Sequence, residues 1–148
     1  MSKKVFISAI VTLFCSATLH AEQTKEISFG QLPKIVQSSA LKHIVQTGIK
    51  KVEVIQDEGI TKYEIESKTD GIIKDISFAT NGMVLEIEQS MQFTQLPIVA
   101  QQAVKKEYPN IKITEVESVQ EFYFDVEGDD TGKLLELKVF ASGDIEDD

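Results

Sequence analysis

The stretch Phe29-Gly-Gln-Leu-Pro33 returns sixty-four residues later as Phe93-Thr-Gln-Leu-Pro97, and this repetition decides the fold. Further matches follow at the same offset, and a loop three residues shorter then changes the offset to sixty-one. The later matches join Tyr63-Glu-Ile-Glu66 to Phe124-Asp-Val-Glu127 and Asn81-Gly82 to Ser142-Gly143. A motif, turn glycines and apolar positions in one shared order indicate an internal duplication.

Each copy is predicted to begin with a helix. Pro33 and Pro97 stand where a helix tolerates proline, in its first turn. We expect Gly48 to end the first helix and Pro109-Asn110 to end the second. The apolar residues after Pro33 share one helical face: Val36, Ala40 and Ile44. Helices of three to four turns need packing on another element, because short helices are marginal alone.

Period-two alternation after each helix predicts strands. The first copy has them near 50–56, 61–66, 72–79 and 83–89, and the second near 113–119, 121–127 and 134–140, with a stub from Asp144. The links are too short for parallel crossovers, so the sheets should be antiparallel. The predicted class is α+β, with two tandem repeats (α-β-β-β-β, then α-β-β-β) whose helices pack on one sheet face.

The predicted strands have one apolar and one acidic face. The apolar face carries Tyr63, Ile65, Ile76, Phe78, Phe122, Phe124, Val126, Leu135, Leu137 and Val139. The candidate partner-binding residues on the other face are Glu64, Glu66, Asp75, Tyr123, Asp125, Glu127 and Glu136. Tyr123 lies between two core aromatic residues, and an exposed aromatic among carboxylates can anchor a protein partner. Cross-strand packing of Tyr123 and simple solubility for the acids are the alternatives.

The N-terminus reads as a secretory signal peptide over residues 1–21. Lys3 and Lys4 precede an apolar run too short to span a bilayer, and Leu19-His20-Ala21 is a plausible cleavage site. Cleavage after Ala17 stays open, whereas the bulky Phe14 argues against lipidation of Cys15. The predicted repeats then cover 22–91 and 92–148, in a periplasmic or secreted bacterial protein.

Composition argues against several classes of partner. The 148 residues carry a net charge of −9, and loss of Lys3 and Lys4 leaves 13 lysines against 24 acids, or −11. Nucleic acid and anionic membrane surfaces demand basic patches, so both are disfavoured. A single cysteine excludes an intramolecular disulfide and a cysteine-rich metal site.

The order of these motifs resembles the PepSY-like family. The resemblance lies in Tyr63-Glu-Ile-Glu66, Asp70-Gly71, Ile76-Ser-Phe78 and Asn81-Gly82-Met-Val84, in the second set from Phe124 to Ile145, and in the Leu-Pro start of each helix. It covers about Ile27 to Ile145. It implies a fold related to the beta-lactamase inhibitor protein, and exported, non-catalytic bacterial proteins, some of which restrain metallopeptidases. No inhibitory residue carries over to this chain.

No catalytic residue, metal ligand or cofactor is predicted. His43, the only histidine after residue 21, reads as a helix-flank residue, since Glu107 holds its position in the second copy. Asp125, Glu127, Asp129 and Glu136 have EF-hand-like spacing, but Asp130 replaces the required glycine and the segment alternates as a strand.

The predicted function is therefore binding. The first hypothesis is a peptidase-inhibitor-like or regulatory module that contacts an envelope protein or peptide through the polar sheet face. The alternative is an envelope protein that binds divalent cations or a small ligand through its acidic surface, and an enzyme is the weakest hypothesis.

Overall fold

A computed structural model of the chain describes residues 22–147, so the predicted signal peptide lies outside the described residues. The elements are β1 Gln23–Glu26, α1 Lys34–Ala40, β2 Ile49–Asp57, β3 Ile60–Thr69, β4 Ile72–Ala79, β5 Val84–Ser90, α2 Ile98–Glu107, β6 Glu117–Glu121, β7 Phe124–Asp130, β8 Lys133–Val139 and β9 Ile145–Asp147. Strands β1 to β6 form one antiparallel sheet in chain order, and β7 to β9 form a second. The predicted α+β class and the antiparallel sheets are confirmed.

The duplication is visible in the strand register. β1 pairs with β2 through Glu26 and Glu53, and sixty-four residues later β5 pairs with β6 through Ser90 and Glu117. The other paired positions of β1 and β2 recur at the same offset. Strand β5 therefore serves both copies, as the last strand of the first and the opening strand of the second.

The repeated Phe-x-Gln-Leu-Pro motif forms the same polar lock in both copies. The Gln31 side chain accepts a hydrogen bond from the Ser28 amide (2.8 Å), and Gln95 accepts one from the Gln92 amide (2.6 Å). A second glutamine then ties the helix to the motif. Gln37 Nε2 donates to the carbonyls of Gly30 (3.3 Å) and Leu32 (2.7 Å), and Gln101 Nε2 donates to those of Thr94 (3.2 Å) and Leu96 (2.8 Å). Satisfying these backbone groups fixes the chain direction into each helix.

The core lies between α1 and one face of the six-stranded sheet. Its buried residues are Leu32, Val36, Ala40, Ile44, Val52, Ile65, Ile76 and Phe78. Alternation along β3 and β4 places Ile65 opposite Ile76 on this face, as the period-two pattern predicts. The predicted helix-on-sheet layer is thus formed by α1.

Helix α1 is shorter than predicted. Gly48 does not end it, because the helix stops at Ala40 and the chain passes through a turn before a short 3-10 segment at Gln46–Gly48. In that turn the amides of His43 and Ile44 both bond to the Ala40 carbonyl (2.9 and 3.0 Å). The turn delivers Ile44 to the core without a longer helix.

The second copy is built differently from the first. Helix α2 has no buried residue and ends before Pro109-Asn110, as predicted. The strands are shifted from the predicted ranges, since β6 begins only at Glu117 and β7 only at Phe124. The reason is the short link between these strands, which lacks the turn that folds β3 back onto β2. That turn uses Glu58 and Gly59 at positive φ (46° and 85°).

Candidate functional site

The polar face of the six-stranded sheet is an ordered array of carboxylates, here called the acidic face. It comprises Glu26, Glu53, Glu64, Glu66, Asp75, Glu86, Glu88, Glu117 and Glu121. Cross-strand register sets one complete row from β1 to β6: Glu26, Glu53, Glu64, Ser77, Glu86 and Glu121. Like charges directly opposite one another on a sheet are destabilising, so this row works against the stability of the fold.

A second row runs beside the first. Lys51, Glu66, Asp75, Glu88 and Val119 are successive register partners on β2 to β6. Carboxylate oxygens of Asp75, Glu88 and Glu117 all lie within 4.8 Å of one another. Lys51, Glu53, Glu64, Glu66 and Asp75 line a depression of about 110 Å³ between the rows. Three predicted residues, Glu64, Glu66 and Asp75, are therefore brought together.

The crowding shifts the protonation of the array. Partial burial, and then the charges of Glu66 and Glu64, raise the pKa of Asp75 to about 6. Burial followed by the charges of neighbouring acids also raises the pKa of Glu64, Glu86 and Glu117. Each shift means that the folded protein resists part of the negative charge on this face.

Two lysines are ion-paired at this face. Lys51 Nζ lies 2.8 Å from Glu53, and Lys62 Nζ lies 2.6 Å from Asp144 in the turn before β9. The hydrogen bond to Glu53 raises the pKa of Lys51. Desolvation raises the pKa of Asp144, but hydrogen bonds from Lys62 and Ser142 outweigh it and leave that pKa lowered. The Lys62 pair also joins the turn before β9 to one end of the acidic face.

The predicted residues of the second copy lie elsewhere. Asp125, Glu127 and Glu136 are exposed on the three-stranded sheet, with carboxylate oxygens within 4.8 Å of one another. Among the residues with EF-hand-like spacing, Asp129 accepts a hydrogen bond from the Gly132 amide (2.8 Å). This bond stabilises the turn between β7 and β8. Six of the seven predicted partner-binding residues thus divide equally between two surfaces, and the seventh, Tyr123, lies in the link between β6 and β7.

Tyr123 lies in the link between β6 and β7 and is 44% exposed. Its ring centroid is 6.1 Å from that of Phe140, and Lys138 Nζ lies 5.3 Å from the Tyr123 centroid. With Met83, Phe122 and other residues it lines a cavity of about 430 Å³. The predicted exposure of Tyr123 is observed, but its predicted setting among carboxylates is not, because it lies beyond the end of β6 and its neighbours are mostly apolar.

Sequence reasoning missed most of the acidic face. Glu86 and Glu88 alternate with Leu85 and Ile87, which is the period-two signal of a half-buried strand. Glu53 carries the same signal beside Val52. What the pattern lacks is register, since the pairing of β5 with β6 is needed to align acids from different copies.

His43 lies in the turn after α1 and is exposed. With Lys42, Lys74 and other residues it lines a cavity of about 420 Å³ on the opposite side of the sheet from the acidic face. Lys74 Nζ reaches the His43 carbonyl at 3.5 Å, so the backbone of His43 makes this contact.

The chain is a tandem-repeat α+β protein with an open, carboxylate-rich sheet face. A family model provisionally described as beta-lactamase-inhibitor-like and PepSY-like matches it twice, at residues 19–74 and 67–145. The chain therefore belongs to this PepSY-like family. No functionally curated protein matches it.

Solved structures from three Bacteroides species are similar to the chain. One is a BLIP-like protein from Bacteroides fragilis NCTC 9343 (18% identity, TM-score 0.48), covering 79% of this chain and 85% of its own. Another, from Bacteroides vulgatus ATCC 8482, is described provisionally as a periplasmic protein of the DUF2874 family. It has 19% identity and a TM-score of 0.40, and the match covers 84% of this chain and 96% of its own. A third, from Bacteroides thetaiotaomicron, is described provisionally as calcium-regulated and periplasmic. It has 23% identity and a TM-score of 0.40, and the match covers 83% of this chain and 96% of its own.

Within residues 22–147, neither helix has the length and apolar character needed to cross a bilayer.

Proposed function

We propose that this protein is an exported, non-catalytic binding protein whose acidic face contacts a cationic surface of a protein or peptide. The observation that carries the proposal is the row from β1 to β6 in which Ser77 alone interrupts the glutamates. Neighbouring glutamates lie directly opposite one another on β1 to β3, and again on β5 and β6. An arrangement that destabilises the free fold is relieved when a partner supplies positive charge.

The shape of the face supports the same function. An open antiparallel sheet presents side chains at regular spacings, and a concentrated negative field steers cationic partners and raises their association rate. The family resemblance makes an exported peptidase, held or regulated by this module, the partner class of first choice. Function rests on the site here, because fold alone does not assign it.

The first experiment measures binding of an oligolysine peptide by calorimetry at several salt concentrations. The test variant, Glu64→Gln with Glu66→Gln and Asp75→Asn, removes three charges from the acidic face. The control, Asp125→Asn with Glu127→Gln and Glu136→Gln, removes three from the other sheet. We expect the test variant to lose at least about tenfold in affinity, or about 1.4 kcal/mol, and the control to lose less.

Equal losses in the two variants would show that net charge, and not the acidic face, attracts the peptide. Capture of partners from an envelope extract with the same two variants extends the test to natural ligands. A protein retained equally by the wild type and the acidic-face variant would refute this face as its binding site.

A second candidate function is divalent-cation binding, favoured by the grouping of Asp75, Glu88 and Glu117 within 4.8 Å. Oxygen ligands from several carboxylates suit hard cations such as calcium. Titration calorimetry with calcium and magnesium tests it, with Glu88→Gln as the variant and Glu107→Gln, an exposed acid on α2 outside this group, as the control. Absence of heat in the wild type would refute it, and the oligolysine result would still stand.

A further inference from the structure

The second copy keeps the residues of a helix-on-sheet core without forming one. The buried positions Leu32, Val36, Ala40, Ile65, Ile76 and Phe78 correspond to Leu96, Ala100, Val104, Val126, Leu137 and Val139. The valine–alanine pair of α1 is exchanged in α2, so the two helices offer the same combined volume. In the first copy all six side chains are at most 3% exposed, whereas none of the six counterparts is buried. The apolar residues of α2 and those of β7 and β8 are therefore both present, but they do not pack into a second core.

A pair of equivalent glycines shows the same separation. Gly82 (φ 81°) lies directly under α1, where an added Cβ would be 3.0 Å from Ile35. Its counterpart Gly143 (φ 101°) has no atom within 4 Å of that position. The residue equivalent to Ile35 is Val99, which is 70% exposed on α2. The turn at Gly143 thus has the conformation and the space for a helix above it, but α2 does not cover it.

The link between β6 and β7 explains why the second core stays open. In the first copy β2 and β3 pair down to Asp57 and Ile60 across a tight turn with two residues at positive φ. The second copy lacks three residues here, and Val119–Tyr123 contains no glycine, asparagine or aspartate that would favour positive φ. Among the described residues, β7 pairs only with β8, so one edge of β7 has no strand beside it.

We propose that two copies of this chain exchange strands β7 to β9. In the exchanged dimer, β7 of one chain pairs with β6 of its partner, and the apolar face of β7 and β8 packs under the partner's α2. The first copy supplies the register, since Val52–Ile65 and Val54–Tyr63 translate to Val116–Val126 and Ser118–Phe124.

Strand exchange allows β6 and β7 to pair although the link between them is too short for a favourable turn. Pairing Ser118 with Phe124 within one chain would bend Val119–Tyr123 into a loop whose residues favour strands. Pairing between chains lets the link run straight, and a short hinge that opposes closure is the usual origin of strand exchange. Moving β7 to β9 releases the Lys62–Asp144 pair, and a partly exposed ion pair of this kind contributes little to stability.

A disulfide experiment tests the exchange in the full chain carrying Cys15→Ser, so that introduced cysteines are the only thiols. One chain carries Ser118→Cys and another carries Phe124→Cys, and the two are mixed, oxidised and separated without reductant. The matched control places both cysteines of the equivalent first-copy pair, Val54→Cys and Tyr63→Cys, in one chain. That control should close within the chain, because its register is known.

We expect the mixed chains to yield a covalent dimer, and either cysteine chain alone to yield much less. A double variant, Ser118→Cys with Phe124→Cys, distinguishes the alternatives. An internal disulfide in it, with no covalent dimer, would show that the chain's own strand occupies the site and would overturn the exchange. Failure of both, while the control forms, would overturn it as well and leave the β7 edge to a different partner.

A second measurement keeps the proposal testable if the cysteine variants fold poorly. Insertion of Glu-Gly-Ile between Glu121 and Phe122 restores the first-copy turn and should convert the dimer into a monomer. Light scattering measures the change in molar mass. The same insertion between Asn110 and Ile111 lengthens a link outside the hinge and should leave the dimer intact. A wild-type chain that is monomeric at the concentrations of the disulfide experiment would refute the exchange.

Discussion

The two copies of the repeat differ in what surrounds nearly the same set of apolar residues. In the first copy the helix covers the sheet and buries Phe78 completely, whereas in the second copy Val139 stays half-buried and α2 is exposed. The polar lock at the helix start is equal in both, down to the glutamine hydrogen bonds. The difference shows that a correct apolar pattern forms a core only where the connection lets its halves meet.

The largest expected effect comes from removing the centre of the formed core. Phe78→Ala should reduce the free energy of unfolding by about 3–5 kcal/mol, because it leaves a cavity in close-packed surroundings. The counterpart Val139→Ala should lose about 1 kcal/mol or less in the dilute monomer. Urea denaturation of both variants measures the contrast.

Protein concentration sharpens this test. If a second chain covers Val139, the loss for Val139→Ala grows with concentration while the loss for Phe78→Ala does not. Equal losses in dilute solution would contradict the open second copy.

The glycine pair should give the next effect in size. Gly82→Ala and Gly143→Ala both place a side chain at positive φ, which alone destabilises by about 1 kcal/mol. Gly82→Ala also forces a methyl group against Ile35, and overpacking adds about 1–3 kcal/mol. Thermal unfolding of the dilute monomer should therefore show a clearly lower Tm for Gly82→Ala. Equal shifts would mean that a helix lies over both turns.

The glutamine lock should give a smaller contrast. Gln37→Ala removes the bond to the Leu32 carbonyl at the edge of the core and should lower stability by about 1 kcal/mol. Gln101→Ala should leave the global stability of the dilute monomer nearly unchanged, because α2 has no buried residue in the single chain. Its effect should appear as faster amide hydrogen exchange in α2 alone, and a global loss equal to that of Gln37→Ala would contradict this view.

The smallest effect concerns charge on the acidic face. The folded-state pKa of Asp75 is raised from 3.8 to about 6, so the folded chain holds this proton more tightly than the unfolded chain does. Its contribution to stability is therefore present at low pH and is lost as pH rises between 3.8 and about 6. Asp75→Asn should stabilise the chain at pH 7 by a few tenths of a kcal/mol and flatten that pH dependence.

Glu136→Gln, on the exposed three-stranded sheet, is the charge-matched control for Asp75→Asn. Melting curves between pH 4 and pH 7 should separate the two variants. A pH profile unchanged by Asp75→Asn would contradict the view that Asp75 titrates in this window.

The first copy could be predicted well from sequence because its signals are local. Alternation located β3 and β4, and the repeated turn glycines marked the turn at Asn81-Gly82 that follows β4. Strand β1 was missed, since four exposed residues carry no apolar pattern and depend on pairing with β2. The helix end at Gly48 was wrong because the bonds after Ala40 form a turn that spacing alone does not reveal.

The second copy and the acidic face depended on non-local facts. The three-residue deletion was read correctly as a shorter loop, but its consequence, a straight link and a separate sheet, requires knowing what the lost residues did at Glu58 and Gly59. Glu64, Glu66 and Asp75 were placed correctly on one face. Asp125, Glu127 and Glu136 were grouped with them as polar-face residues of the strands, because alternation shows the face of each strand but not which strands share a sheet.

Because β5 belongs to both copies, the two copies do not depend equally on one another. A chain ending near residue 91 retains every strand of the first copy, whereas a chain starting at 92 lacks the strand against which β6 is zipped. The second copy thus depends on the first for its assembly, and the dependence does not run the other way. A repeat that borrows a neighbour's strand can be added to an ancestor but cannot later leave as an independent unit.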